Sequence, residues 1–247
     1  MILIHPDREA LSLAAAELFV REACEAVADR GRFTVLLSGG ETPRRTYELL
    51  AEPHRREEVP WDRVHLFWGD ERCVPHDDPR SNYRMARLAL IDHVPVPPSN
   101  VHPIACEGGA DAGAAWYEAE LRAISHGGIP RFDLAFLGIG EDGHTASLFP
   151  GSPLLGVTDR LVAVASKADE AIQRVTVTVP VINQAALIVF LVSGEGKAAI
   201  VREALAGMRE MPARLIHPVD GRLFWLLDEE AVKLVEEDRI RGEGAKL

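Results

Sequence analysis

Two side chains that carry protons near neutral pH, Asp142 and His144, lie two positions apart in a glycine-rich segment. The apolar run 134–137 just before them predicts a buried strand, and the glycines that follow predict a turn at the end of that strand. Ligands of open α/β sheets bind beyond the carboxyl ends of the strands. A carboxylate beside an imidazole suits general acid–base catalysis, so the segment predicts a proton-transfer site.

The same segment, 138–143, also satisfies the G-x-G-x-x-G pattern of dinucleotide-binding proteins. That pattern must open a long helix whose N-terminus holds the pyrophosphate. Pro150 and Pro153 leave room for only one or two helical turns after Gly143. The sequence therefore argues against binding of a nicotinamide or flavin cofactor.

A second glycine pair follows the predicted strand 33–37. Thr42 is expected to cap the next helix and Pro43 to be its first residue. Glycines before a helix N-terminus leave backbone N–H groups free to converge on an oxyanion, which the helix dipole also favours. An ordinary strand-to-helix turn is the alternative to a phosphate site, whose residues would be Ser38, Gly39, Gly40 and Thr42.

Charged residues occur at two other places where the sequence predicts an element to end or begin. Asp70 and Arg72 come just after the predicted strand 64–68, and they line either a crevice or an ordinary solvated surface. Lys197 stands at the start of a predicted helix, where a cation is unfavourable for the helix dipole. A bound anion would explain that placement, and a solvated lysine is the alternative.

Short apolar runs alternate with helical patterns along the whole chain. Near-continuous apolar strands are typical of parallel sheets that are covered on both faces. We therefore predict an α/β, Rossmann-like fold: a mostly parallel sheet flanked by helices on both faces, in a single domain over residues 1–247. The predicted strands are 33–37, 64–68, 134–137, 161–165, 174–179, 187–192 and 223–227, and the predicted helices are 7–29, 43–50, 82–90, 112–125 and 197–206.

Composition restricts the classes of partner. The net charge of −11 argues against nucleic acid or an anionic membrane as the main partner. The longest wholly apolar run, 185–192, is far shorter than a membrane span of about 20 residues. The N-terminus lacks a signal-peptide pattern, which predicts a cytoplasmic protein. We also expect a monomer or weak homodimer.

Several residue types are expected to serve packing rather than chemistry. Three scattered cysteines suggest reduced thiols and no Cys-x-x-Cys metal site. The four tryptophans are expected to be buried or partly buried. The last residues, 241–247, are expected to fray. These groups are Cys24, Cys73 and Cys106, and Trp61, Trp68, Trp116 and Trp225.

Together the three segments resemble the 6-phosphogluconolactonase family, the enzymes of the second step of the pentose phosphate pathway. The motifs that carry the resemblance are Ser38-Gly-Gly-Glu-Thr-Pro43, Trp68-Gly-Asp-Glu-Arg-Cys-Val-Pro75, and Gly138-Ile-Gly-Glu-Asp-Gly-His-Thr-Ala-Ser-Leu-Phe-Pro-Gly151. The likeness extends from about Ile4 to Val232. Glu41 departs from the family, which often has serine there.

The resemblance implies hydrolysis of 6-phospho-D-glucono-1,5-lactone without metal or organic cofactor. His144 would be the general base, with Asp142 or Asp70 orienting its imidazole. Arg72 would hold either the developing oxyanion or the phosphate. Arg174 and Lys197 would join Ser38, Gly39, Gly40 and Thr42 in binding the substrate phosphate.

Two alternatives belong to related proteins. Glucosamine-6-phosphate deaminases share Asp-Gly-His in this loop but have a glutamate that serves ring opening, where this chain has apolar residues 148–150. The phenyl ring of Phe149 cannot move a proton, which decides against the deaminase. A non-catalytic sugar-phosphate sensor is the other alternative, but the chain shows no helix-turn-helix extension or basic patch.

Overall fold

The structure is a computed structural model that describes residues 1–167, 170–207 and 210–235, so residues 241–247 lie outside it. The strands are β1 (Ile2–His5), β2 (Phe33–Leu37), β3 (Val64–Trp68), β4 (Asp70–Arg72), β5 (Val101–His102), β6 (Leu134–Leu137), β7 (Val162–Ala165), β8 (Arg174–Val177), β9 (Leu187–Val192) and β10 (Arg222–Asp228). The α-helices are α1 (Arg8–Arg30), α2 (Glu41–Leu50), α3 (Pro53–Glu58), α4 (Asn82–Ala89), α5 (Ala110–Ile124), α6 (Val179–Asn183), α7 (Ala198–Ala206) and α8 (Glu229–Val232).

The larger sheet has seven strands in the order β1-β10-β9-β6-β2-β3-β5, and all its neighbouring strands run parallel. Every residue of β2, β6 and β9 is buried, because layers of helix and loop cover both faces. The predicted α/β fold with a mostly parallel sheet is confirmed. Since the strands are parallel, the segments that follow them meet at one edge of the sheet.

A smaller antiparallel sheet, in the order β4-β8-β7, was not predicted as a separate sheet. Strand β4 follows β3 after Gly69 alone, and its three residues carry charges that resemble a solvated loop. It pairs with β8 so that Arg72 lies opposite Arg174. Two arginines far apart in sequence therefore share one position of a ladder.

Helix α1 begins and ends as predicted. The Asp7 side chain accepts a hydrogen bond of 2.8 Å from the backbone N–H of Ala10, and Gly31 closes the helix with φ of 73°. The prediction for the next helix is wrong in one detail. Gly40 precedes α2, so Thr42 lies within the first turn and does not cap it. Pro43 is tolerated there because first-turn N–H groups have no intrahelical acceptor.

Two predictions about packing residues are wrong. Cys73 and Cys106 form a disulfide with a Cα–Cα distance of 5.3 Å, so only Cys24 is a free thiol. The sequence could not predict this pair, because the two loops that carry it approach only in the folded chain. Trp116 is 53% exposed, whereas the other three tryptophans are buried. No helix within the described ranges has the length and apolar character needed to cross a membrane.

Candidate active site

A pocket of about 380 Å³ opens at the carboxyl edge of the larger sheet. Segments that follow β1, β2, β6 and β9 contribute to its wall, together with β4 and the first residue of β8. All the predicted site residues except Asp142 line this pocket, and Asp142 contacts one of them. The predicted lining residues are Ser38, Gly39, Gly40, Thr42, Asp70, Arg72, His144, Arg174 and Lys197.

The loop after β6 is held by its own backbone. Gly140 donates its N–H to the carbonyl of His144 at 2.8 Å, and Gly143 donates to the carbonyl of Gly140 at 3.0 Å. A Cβ atom at Gly140 would lie 2.1 Å from the His144 ring and 2.7 Å from Asp142. The glycine is therefore required because the carboxylate–imidazole pair packs directly over its α-carbon.

Asp142 and His144 form the closest polar pair in this loop. An Asp142 carboxylate oxygen lies 2.5 Å from Nδ1 of His144 and also accepts the backbone N–H of His144 at 3.1 Å. Partial burial disfavours the ionised carboxylate, but the hydrogen bonds and charge of His144 outweigh it and lower the pKa of Asp142. With Nδ1 engaged, Nε2 is the ring nitrogen left for a substrate.

Asp70 does not contact the imidazole. Its carboxylate accepts the hydroxyl of Ser147 at 2.5 Å and the side-chain amide of Asn82 at 3.3 Å. Asp70 is buried at 6% exposure, so these donors satisfy a charge that water reaches poorly. Of the two carboxylates proposed to orient His144, Asp142 is the one in contact with it.

Glu71, which was not among the predicted site residues, fixes the wall next to Asp70. Burial raises the pKa of its carboxyl, opposed by hydrogen bonds from three backbone N–H groups and one hydroxyl. Two of these donors are the backbone N–H groups of Arg72 and Asn82. The side chain of Asn82 then packs against Gly39, where a Cβ would lie 2.1 Å from its amide oxygen.

The two arginines on facing strands have different partners. Arg72 donates to the carbonyl of Arg80 at 2.6 Å, and Arg174 donates to Glu170 at 2.6 Å. The guanidinium of Arg174 also lies 5.6 Å from the ring centre of Phe149, whose ring lies 5.0 Å from that of His144. Within the described residues, Nε of each arginine is buried without a hydrogen-bond partner. Each arginine thus lines the pocket with one N–H donor that has no acceptor among the residues described.

The opposite part of the wall joins residues from distant parts of the chain. The hydroxyl of Thr42 lies 2.8 Å from that of Ser193, which accepts a hydrogen bond of 3.2 Å from Nε of Arg8. Lys197 lines the same pocket. Glu41, the residue that departs from the family pattern, is paired with Arg44 at 2.6 Å. That pairing offsets the negative charge that Glu41 would otherwise add beside the glycine turn.

The sequence analysis missed Arg8 and Ser193 as pocket residues. Each occupies a position that the topology makes informative: Arg8 is the third residue after β1, and Ser193 directly follows β9. Neither belongs to a recognisable motif, and β1 was not predicted. Among the described residues, no group of three or more His, Cys, Asp or Glu side chains could hold a metal ion.

Comparison with known proteins identifies the family. The family model described as glucosamine-6-phosphate isomerases/6-phosphogluconolactonase matches residues 6–225. The chain belongs to this family. A 6-phosphogluconolactonase of Synechocystis is 46% identical over 214 residues, covering 84% of this chain and 86% of that protein. The resemblance to the 6-phosphogluconolactonase family seen in the sequence is thereby confirmed.

Solved structures of family members have the same fold. A 6-phosphogluconolactonase structure from Trypanosoma brucei superposes with a TM-score of 0.83 at 29% identity, covering 96% of this chain and 98% of that one. A monomeric glucosamine-6-phosphate deaminase superposes with a TM-score of 0.78 at 23% identity, covering 94% and 99%. The fold is thus common to lactonases and deaminases, so the side chains of the pocket must distinguish them.

Proposed function

We propose that this chain is a 6-phosphogluconolactonase that hydrolyses 6-phospho-D-glucono-1,5-lactone to 6-phospho-D-gluconate, the second step of the pentose phosphate pathway. The observation that carries the proposal is the Asp142–His144 pair at the wall of a pocket that also contains four cationic side chains. In a chain of net charge −11, such cations suit an anionic substrate. The cations are Arg8, Arg72, Arg174 and Lys197.

His144 acts as the general base through Nε2. It removes a proton from water as the water oxygen attacks the lactone carbonyl, and it returns that proton to the ring oxygen as the C1–O5 bond breaks. Asp142 keeps the proton on Nδ1 and stabilises the imidazolium that forms between the two steps. The immediate product is an open-chain carboxylic acid with a hydroxyl group at C5, and it releases a proton to solvent to become the carboxylate.

Arg72 and Arg174 serve the reacting end of the substrate in this proposal. The chain of contacts from Arg174 through Phe149 to His144 supports placement of Arg174 near the base, and Arg72 lies opposite Arg174 in the β4–β8 pair. Their unpartnered Nε–H groups suit the negative charge that develops on the carbonyl oxygen during attack. Arg72 is assigned to this oxyanion, and Arg174, which the sequence assigned to the phosphate, is assigned here to the substrate beside it.

The phosphate of the substrate is assigned to the glycine turn and Lys197. Gly39, Gly40 and Thr42 bring backbone N–H groups and a hydroxyl to the N-terminus of α2, and Ser38 begins the turn. Lys197 supplies a point charge from the segment after β9. This division assigns the lactone carbonyl and the phosphate to two different parts of one pocket.

A deaminase reaction is disfavoured by Phe149. Ring opening of an amino sugar needs a group that transfers a proton, and a phenyl ring lies next to His144 instead. The test supplies freshly generated 6-phosphogluconolactone and follows acid release above the spontaneous rate. Glucosamine 6-phosphate is tested in parallel for release of ammonia. Acid release without ammonia supports the proposal, and the opposite result would replace it with deamination.

A further inference from the structure

Arg8 is a pocket cation that lies outside the three sequence motifs. It is the first residue of α1, and its Nε donates to the hydroxyl of Ser193 at 3.2 Å. Ser193 in turn lies 2.8 Å from the hydroxyl of Thr42. This chain of contacts connects the segments that follow β1, β9 and β2, and it ends at the turn to which the substrate phosphate is assigned.

The acidic residues beside Arg8 are engaged elsewhere. The carboxylate of Asp7 accepts the backbone N–H of Ala10, and Glu9 forms two hydrogen bonds of 2.7 Å with Arg45. In the described part of the chain, the terminal nitrogens of Arg8 have no hydrogen-bond partner. Arg8 is exposed, and its guanidinium is oriented by one hydrogen bond through Nε, which leaves its remaining donors available to a ligand in the pocket.

A phosphate group fits these donors better than a neutral ligand does. Two parallel N–H groups match two phosphate oxygens, and a charged acceptor strengthens each hydrogen bond. Lys197, another cation that lines the pocket, offers charge without a fixed geometry. Arg8 thus supplies the directional component that Lys197 lacks.

We propose that Arg8 binds the substrate phosphate and determines selectivity for phosphorylated lactones, with Ser193 as the hydroxyl that orients its guanidinium. The inference rests on the proposed function, because the phosphate belongs to the substrate assigned there. It extends that function by naming a specificity residue and a positioning residue outside the sequence motifs.

The first test is Arg8→Ala in steady-state kinetics. Loss of charge-assisted hydrogen bonds predicts that KM for the phosphorylated lactone rises about 10- to 100-fold with little change in kcat. The ratio of kcat/KM for phosphorylated over unphosphorylated lactone falls by the same factor. Arg8→Lys recovers part of the loss, because it restores the charge without the fork. An unchanged KM would overturn the proposal.

A matched control separates local binding from net charge. Arg21 lies on the same helix, is 53% exposed, and contacts only its neighbour Glu22 among the described residues. Arg21→Ala changes the net charge by the same amount as Arg8→Ala, and its KM is expected to stay within twofold of wild type. An equal rise in KM for both variants would show that long-range charge, and not a contact, is responsible, and would overturn the proposal.

A double-mutant cycle tests the orienting role of Ser193. Ser193→Ala is expected to raise KM about three- to tenfold, because Arg8 loses the partner of its Nε. If Ser193 acts through Arg8, the double variant Arg8→Ala/Ser193→Ala has nearly the KM of Arg8→Ala alone. Effects that multiply independently would refute the orienting role.

Direct binding distinguishes failure of this inference from failure of the proposed function. Calorimetric titration with 6-phosphogluconate and with gluconate compares ligands that differ only in the phosphate. Weaker binding of 6-phosphogluconate by Arg8→Ala supports the contact even if wild type hydrolyses no lactone, in which case only the proposed reaction fails. Active wild type with unchanged 6-phosphogluconate binding in Arg8→Ala leaves the reaction intact and refutes the role of Arg8.

Discussion

Two regions of the pocket are built in opposite ways. The base loop, residues 138–144, is closed by hydrogen bonds within the loop, with a further bond from Ala213 to the carbonyl of Gly143, and Asp142 and His144 are two positions apart. The phosphate wall, defined as Arg8, Thr42, Ser193 and Lys197, joins residues separated by 151 and 185 positions. The first region depends on a local turn, whereas the second depends on the order of strands in the sheet.

The difference between the two regions predicts which kinetic constant each of them affects. A base that transfers a proton only during reaction contributes to the transition state, so its loss appears in kcat. A cation that holds the same phosphate before and during the reaction binds both states alike, so its loss appears in KM. The predictions below separate the two regions by this criterion.

The largest effect is expected when the phosphate wall loses its ligand. Unphosphorylated D-glucono-1,5-lactone leaves the cations and N–H donors of the wall unpaired, and polar sites reject such analogues by roughly 10⁴ in kcat/KM. The measurement compares both lactones on the wild-type protein after subtraction of spontaneous hydrolysis. Similar kcat/KM values for the two lactones would show that the phosphate wall does not select for the phosphorylated substrate.

The base loop is tested by His144→Ala. Removal of a positioned acid–base group is expected to lower kcat by about 10²–10⁴ with little change in KM. Binding of 6-phosphogluconate by this variant, measured calorimetrically, serves as the control that the pocket remains folded. Retention of near-full kcat would exclude His144 as the base.

Asp142→Asn tests the partner of the base and is expected to lower kcat roughly 100-fold, since the amide can favour the wrong tautomer. The pKa of Asp142 is lowered, so its carboxylate is fully ionised above the ordinary pKa of an aspartate. The stabilising contact of this anion with His144 is lost only as the pH falls through the lowered pKa. Between pH 5 and 8 this carboxylate therefore stays ionised.

The pH dependence of kcat/KM tests the assignment of a histidine base. In wild type, kcat/KM is expected to fall on the acid side of neutrality, because a protonated histidine cannot accept a proton from water. A flat wild-type profile from pH 5 to 8 would contradict a histidine base.

The smallest effect is expected from Lys197→Ala. Loss of one point charge from the phosphate wall should raise KM roughly tenfold and leave kcat nearly unchanged. High salt should reduce the difference between variant and wild type. Arg63→Ala, at a side chain 62% exposed and paired with Asp62, is the control for net charge. If Lys197→Ala lowers only kcat, Lys197 does not bind the phosphate and instead acts at the reacting end of the substrate.

Part of the fold was predictable because its signals are local and strong. The bounds of β2, β3, β6 and β9 match the predicted runs, since wholly apolar segments between turn residues leave few alternatives. Strands β4 and β5 were missed. Strand β4 has three charged residues and β5 has only two residues, so neither shows a strand pattern in the sequence. Each is a strand only because it pairs with a neighbour, β4 with β8 and β5 with β3.

The same distinction applies to the site. The base loop could be predicted from the sequence alone, because Gly140, Asp142 and His144 come together through a turn of only a few residues. It also identified the glycine turn before α2, although Thr42 proved to contact Ser193 instead of capping the helix.

The other contacts of the pocket depend on the tertiary structure. Parallel strands bring their carboxyl ends to one edge, and the strand order β1-β10-β9-β6-β2 decides which of those ends share a pocket. The contact between Arg8 and Ser193 and the disulfide between Cys73 and Cys106 both arise from such an approach. No local pattern encodes it, because the free energy that sets strand order comes from burial of the whole sheet and not from the residues at its edge.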